Sequence, residues 1–490
     1  MPSSKELADY IYTSSNMERI NSDLTRYEIY NGKLRGSIEK AIRNEFILQD
    51  TVKELINRVI PINITQKIIN KLGAVYLSQP LREPANLDEI DQASINTLEQ
   101  TMELNTRMKF LNRMFKLAKM AAVEPYLNDK GMPSLRVLPS HTFTPYSDSF
   151  LEPETPTHMI KHMLFTGDRE KDRHIVWSAT EHYTMNGEGL IIPNAQNPDN
   201  INPYGAIPLV YIKDGFDKLI PLQDDDLISM QIAICLLLTD LAFATKYQAW
   251  SLIYLIGAKS EKLSFNPNSV ISLDFLPDGQ EPKIGSIKPT VDIDAMLREV
   301  EALVGLLLST KNLSVGSVSL KLDGTSAASG VSKILDQAES TEDKQDQLQY
   351  FGDFEKQLFD VLAKNIIPYW DSQNLINPKV RLEFSPDFEL SISFPDQKPA
   401  ISEKEIVEIE KAKVDAAFTS QRAAIQAVNP ELDSDQIDAL IEEIAQDKIR
   451  EMEMMTALPS MNPAMVQSQQ EEDQEDAMEE ESTDQSSGNT

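Results

Sequence analysis

Cysteine is almost missing from this 490-residue chain: Cys235 stands alone, which excludes an intrachain disulfide framework and a cysteine-based zinc site. Positive charge is scarce. Only 46 Lys and Arg face 77 Asp and Glu, giving a formal charge of -31 and a pI near 4.6. That excludes a protein that coats nucleic acid by neutralising phosphates, which needs clustered basic residues. Histidine is limited to five residues, all between His141 and His182, and none belongs to an HExxH motif. GxxxxGK[ST] and GxSxG are absent too, so neither a nucleotide-binding loop nor a nucleophile elbow is present. The opening MPSSKELADY has no apolar core, so no signal peptide is expected. The apolar segment from Leu227 to Leu238 continues to Ala258, but Asp240, Lys246 and Gln248 interrupt it before the ~18–20 residues a membrane span requires. A helix buried on several sides by protein is the expectation. No internal repeat is evident.

What is present can build real cores. Hydrophobic residues make up 41% of the chain, which rules out global disorder, and the length suits about three units of ~150 residues. Residues 1–60 read as charged helices. Ile68, Ile69, Leu72, Val75 and Tyr76 share one helical face, stopped by Pro80 and Pro84. Asp88 to Ala122 reads as another helical region. From Val123 the period changes to strands, with a turn at Asp129-Lys130-Gly131, then MIKHMLFTG and RHIVWSATEHYTMN as an antiparallel sheet. A long helix from about Asp224 to Trp250, a Pro/Gly-marked β-rich insert (251–289), a helix from Val291 to Lys311, a loop and a helix from Ser329 to Trp370 follow. VRLEFSPDFELSISF, Val380 to Phe394, returns to strand. Ser402 opens an acidic helical pair. Residues 451–490 hold no Lys or Arg and 11 acids, the composition of a disordered polyanion.

Candidate chemistry is thin. His158 and His162 are four apart, but strand geometry separates them, so structural histidines are the simpler reading. Asp224, Asp225 and Asp226 suit a helix N-terminus better than a metal, because adjacent helical residues do not face one point. An enzyme is not expected. What remains is an architecture: two long helices as an antiparallel stalk with the insert at its tip. Their apolar surface exceeds what two helices bury, and neighbouring copies in a cyclic ring would cover it. LSVGSVSLKLDGTSAASG, a flexible loop at the stalk's base, would then project towards the axis.

This order resembles the portal proteins of tailed double-stranded DNA bacteriophages over Asn63 to about Ile449. The resemblance rests on NITQKIINKLGAVYLSQP, LNTRMKFLNRMFKLAKMAAVEPYLNDKGMPSLRVLPSHTFTPYSD, GAIPLVYIKDG, SGVSKILDQAES and TSQRAAIQAVNPELDSDQIDALIEEI. Ala417, Phe418 and Thr419 precede Ser420 where the family often has a glycine. The resemblance implies an α+β, predominantly helical fold that assembles as a ring, usually of twelve subunits, at one capsid vertex of the virion. It implies a wing (1–222 and 329–399), stem helices (223–250 and 290–311), a clip (251–289), a tunnel loop (312–328), a helical crown (400–455) and an acidic tail (456–490). Duplex DNA would pass non-specifically along the axis past Val315, Gly316, Leu320, Lys321 and Leu322. The clip, through Lys259, Glu261, Lys262, Asn266, Pro267 and Asn268, would dock the terminase large subunit during filling and head-tail adaptor proteins afterwards. The wing would meet major capsid and scaffolding proteins, after assembly in the host cytoplasm. No cofactor and no membrane partner are implied. The alternatives are another ring-forming head-tail adaptor, or a metal-dependent hydrolase using His141–His182.

Overall fold

Side-chain caps start the early helices. Ser3 and Glu6 form a reciprocal capping box over α1 (Ser4–Ile11). It is followed by α2 (Ser14–Tyr30), α3 (Arg35–Glu45) and α4 (Gln49–Ile56). Asn63 caps α5 (Ile64–Leu72), and Asp88 caps α6 (Glu89–Thr101). The structure, a computed structural model, describes residues 2–45, 49–215, 217–249, 252–256, 283–287, 292–313 and 330–395, with 407, 410, 411, 413, 414, 419–428, 436–444, 446 and 449 beyond them. It divides into two compact units, Met1–Gln397 and Lys398–Thr490. Helix accounts for 51% and strand for 16%, so the chain is α+β with helix predominant, as the sequence implies.

Two stretches expected as single helices break at identifiable residues. α5 stops at Leu72 because Gly73 lies against Arg113, where a side chain would not fit, so Val75 and Tyr76 sit in a separate 3-10 turn. The Asp88–Ala122 region is α6, a left-handed Glu103 and α7 (Leu104–Ala118). Met120, Ala121 and Ala122 already belong to β2 (Met120–Leu127). β2 pairs with β3 (Pro133–Pro139) on one side and β9 (Val210–Lys213) on the other. Strands β4 (Phe143–Tyr146), β5 (His158–Leu164), β6 (Arg173–Ser178), β7 (His182–Asn186) and β8 (Ile191–Ile192) form an antiparallel meander. Met120, Ala122, Phe143, Met159 and Trp177 fill the space between the two sheets.

Next come α8 (Asp226–Ala249), the antiparallel pair β10 (Leu252–Ile256) and β11 (Lys283–Ile287), and α9 (Ile293–Ser309) capped by Asp292. The long helix α10 (Gly330–Val361) widens into a π turn at Leu362–Ile366 before α11 (Ile367–Ser372). Pro368 supplies a reason, since it lacks an amide and crowds the carbonyl four residues back.

The expected strand Val380–Phe394 is mostly not one. Only β12 (Leu390–Ser393) forms, paired with β1 (Leu81–Pro84), which the sequence reading treated as a helix stop. Residues 383–385 find side-chain partners instead. Ser94 Oγ donates to the Glu383 carbonyl and accepts its amide, while the Asp91 carboxylate accepts the Ser385 amide and hydroxyl at 2.7 Å each. In the second unit, Ser420 caps a helix, α12 (Gln421–Val428), and Arg422 pairs with Asp438 at 3.0 Å.

Candidate functional site

The site begins with what α8 buries. Its fully enclosed residues are Leu227, Gln231, Ile234, Cys235 and Thr239, a single stripe. Three of them are polar or weakly polar, and they serve the backbone of the segment leading into α5. The Gln231 Oε1 accepts from the amides of Ile64 (2.8 Å) and Thr65 (2.9 Å), and its Nε2 donates to the Ile62 carbonyl (2.6 Å). One turn on, Cys235 Sγ approaches the same carbonyl (3.5 Å), and Thr239 Oγ1 accepts from the Ile60 amide (3.3 Å). Burial pushes the Cys235 thiol pKa up, against its hydrogen bonds to the Ile62 carbonyl and from Gln231 Nε2.

A soluble helix ordinarily buries its apolar face; α8 does so only in part, with Leu227 and Ile234 in the main core, Met230 and Leu238 packed against it, and Ile228, Leu236 and Phe243 against a second cluster around Cys235. Ile232, Leu237 and Leu241 remain only partly covered. Of its most apolar stretch, 28% lies inside the chain, although by length and composition the helix could cross a membrane. The expectation of burial on several sides is met in part: α3, α4, α5 and α9 all pack on α8, but full enclosure is confined to one stripe. On α9 the neighbouring Leu306 is 57% exposed.

α8 and α9 pack side by side and run in opposite directions. The β10–β11 pair joins them at one end, and Lys311, just past α9, reaches Asp226 at the start of α8 at the other (2.8 Å). At that end the acidic triplet meets three cations, with Lys311 shared between Asp226 and, at 3.8 Å, Asp224. Asp224 pairs with Lys119 (3.0 Å), Asp225 with Arg26 (2.8 Å) and Asp226 with Lys311. Helix capping was thus only part of the answer, contributed by the Asp226 carboxylate accepting from the Leu227 amide. Adjacent helix-start residues point apart, so three neighbours clamp α2, the end of α7 and the end of α9 to one junction.

The histidines form a second arrangement. Strand register sets His162 directly across from His174, with their Nδ1 atoms 2.9 Å apart; His158 lies four residues, two strand repeats, further along β5, across from Ser178. The hydrogen bonds around them fix the tautomers. Asp172 also accepts from Thr166, and these contacts with Tyr12 outweigh burial to hold its carboxyl below the ordinary range, so it is ionised and accepts the Tyr12 hydroxyl proton (2.5 Å). Tyr12 oxygen then accepts from His174 Nε2 (3.3 Å), leaving His174 Nδ1 to accept from His162 Nδ1. His162 Nε2 accepts from Thr144 Oγ1 (2.9 Å), itself receiving Arg19 (2.9 Å). Every donor points the same way, from Arg19 to Asp172. Both imidazoles are neutral: burial pushes His174 down to about 4 and, with His174, Arg19 and His141 nearby, His162 well below its usual value. This chain straps α1 and α2 to the meander. Among the described residues no three His, Cys, Asp or Glu are grouped to hold a metal.

The sequence-read positions Val315, Gly316, Leu320, Lys321 and Leu322, and Lys259, Glu261, Lys262, Asn266, Pro267 and Asn268, lie outside the described residues. The polar stripe of α8 and the ion-pair junction were missed at first; the QxxxCxxxT spacing within an apolar run was the available signal.

No protein-family model matches the chain, and no curated protein matches it. Among solved structures, the chain is similar to one in the neck of an empty GTA (gene transfer agent) particle computed with C6 symmetry, at 12% identity and a TM-score of 0.38, over 77% of this chain and 92% of that one. A likeness of that size carries none of the functional reading below.

Proposed function

We propose that this protein is a portal: a ring-forming subunit of a phage head-tail connector, whose axis conducts duplex DNA. The observation that supports the reading is the incomplete burial of α8. A helix whose polar stripe is spent inside its own chain, and whose apolar sides are left partly open, asks for cover from outside. An antiparallel helix pair closed at one end by a β pair gives a stalk that neighbouring copies can cover heterologously, and heterologous contacts that close make rings. The ordered resemblance of sequence motifs supplies the rest of the proposal: residues 312–328 facing the channel, residues 251–289 docking terminase and then adaptor proteins, and a ring of twelve. For the hydrolase alternative, the ring nitrogens of His162 and His174 are occupied by each other and by Thr144 and Tyr12, so that pair offers no open ligand position.

Negative-stain microscopy with mass photometry tests this. Purified protein should yield annular particles with a central hole. Leu237→Lys, which puts a charge on the open side of α8, should shift the population to monomers with an unchanged circular-dichroism spectrum. Wild-type protein that stays monomeric at high concentration removes the portal reading.

A further inference from the structure

The loop between β4 and β5 holds two large apolar side chains in water. Phe150 is 96% exposed and Leu151 89%. The loop is nonetheless built. The Glu152 amide donates to Ser149 Oγ (3.0 Å), the Asp148 amide to Thr157 Oγ1 (3.1 Å) and the Thr155 amide to the Glu152 carbonyl (3.1 Å). Lys213 Nζ donates to the Glu154 carbonyl (2.8 Å), tying the loop to β9. Pro153 and Pro156 stiffen it further. An unpinned loop could fold Phe150 back onto the sheet. This one presents the Phe-Leu pair as a knob, flanked by Asp148, Glu152 and Glu154.

The same unit carries a socket. β9 pairs with β2 only as far as Val123, so among the described residues the edge of β2 from Glu124 to Leu127 has no strand partner on that side. Beside it lies a cavity of about 470 Å³. Its walls include Tyr126, Trp177, Tyr204, Trp370 and Leu375. The aromatic walls are fixed in place. Trp177 stacks between His182 (3.5 Å) and Tyr204 (5.8 Å), and Trp370 Nε1 donates to the Tyr204 hydroxyl (3.3 Å). The β2–β3 turn is pinned to the far wall at Gly131, with a φ of 70°, whose carbonyl accepts from the Asn377 amide (2.9 Å). Its Glu124 is neutralised by Lys161 and Arg136 (2.7 Å each). Asp129 is the other charged residue of the wall; exposed Lys130 follows it in the turn, and the Arg136 guanidinium lies 4.5 Å over the Tyr126 ring. Lys161, Arg136 and Lys130 against Glu124 and Asp129 leave one net positive charge at and beside this aromatic-walled cavity, which suits an apolar knob on an acidic loop.

We infer that the Phe150–Leu151 knob of one copy seats in the Tyr126–Trp177–Tyr204–Trp370 socket of the next. The exposure of Phe150 shows that it does not fill its own socket. When each copy's knob enters the socket of the following copy, and not reciprocally, the contact is heterologous and propagates around a ring. The inference rests on the ring reading and adds a second contact, independent of α8.

Thiol crosslinking separates the two. Cys235 is buried, so background reaction is low. A chain carrying Phe150→Cys and Leu375→Cys, treated with a short bismaleimide, should give a ladder of covalent oligomers that neither single variant gives. Rings in the microscope without a ladder overturn the knob and leave the ring standing. A ladder without rings does the opposite. In parallel, Phe150→Ser with Leu151→Ser should raise the concentration at which rings dissociate by about tenfold or more, because two apolar side chains lose their cover. An unchanged dissociation concentration overturns the inference and assigns the loop to some other protein of the particle.

Discussion

Arg82 and Glu355 are both fully enclosed, and they meet in a two-pronged contact (2.5 and 2.9 Å). Arg82 spends another nitrogen on Glu99 (2.5 Å) and Asn105 (2.9 Å), and Tyr76 donates to Glu355 (2.6 Å). The cluster joins β1, α6, α7 and α10. Attraction in such a place repays desolvation only while every partner stays. Glu355→Ala should therefore cost about 3–5 kcal/mol in urea unfolding, because it removes two of the bonds to a buried guanidinium and leaves the buried Tyr76 hydroxyl without its acceptor. A loss below ~1 kcal/mol would show that water reaches Arg82. The histidine strap makes a different prediction. His174 and His162 have folded pKa values below the unfolded value of ~6.5. The unfolded chain then binds more protons, so their contribution is intact above pH ~6.5 and is lost as pH falls towards about 4, at up to ~1.4 kcal/mol per pH unit for each histidine. The groups facing them are Tyr12 and Arg19 from the N-terminal helices, Asp172 and Arg173 beside β6, and His141. His162→Gln with His174→Gln should flatten the stability profile between pH 6.5 and 4. Parallel profiles for variant and parent would refute the strap's neutrality.

At the scale of elements, the loop between α9 and α10 carries the mechanism proposed for the channel. Replacing Val315–Leu322 by a short glycine linker should leave ring formation intact and reduce DNA packaged or retained per particle. Equal DNA content would remove that loop from the channel. Elements with a single period were legible from the chain: the β2–β3 hairpin, the β5–β6–β7 meander, α8, α9 and α10. Failures came where a local pattern had a remote partner. Residues 380–385 have strand-like residues but pair with Asp91 and Ser94 nearly three hundred positions away. β1 is a four-residue strand containing Arg82 between two prolines, and only β12 makes it one. The His162–His174 contact needed the β5–β6 register, which the sequence period does not fix. The acidic triplet was visible as a helix start, but its three cations come from positions 26, 119 and 311.

Across the whole molecule, the excess of 77 acids over 46 bases constrains how a ring of these chains would treat DNA. Removing the 11 acids of residues 451–490 leaves 66 against 46, so acidity is not confined to the tail. A channel that grips phosphates would hold the genome in place, since each neutralised phosphate releases counterions and adds affinity. Repulsion from an acidic wall, relieved by one lysine per copy at Lys321, would instead let a duplex move in either direction. The expected result is that assembled rings show no measurable binding to linear duplex DNA at physiological salt. Lowering the salt should recover only weak binding, and Lys321→Ala should abolish it. Fluorescence anisotropy with a labelled duplex, titrated across a salt series, measures this directly. Tight binding that falls steeply with salt, with a slope of about -5 or beyond, would mean a basic surface is exposed on the ring. The low-friction channel would then be wrong even if the ring itself were right.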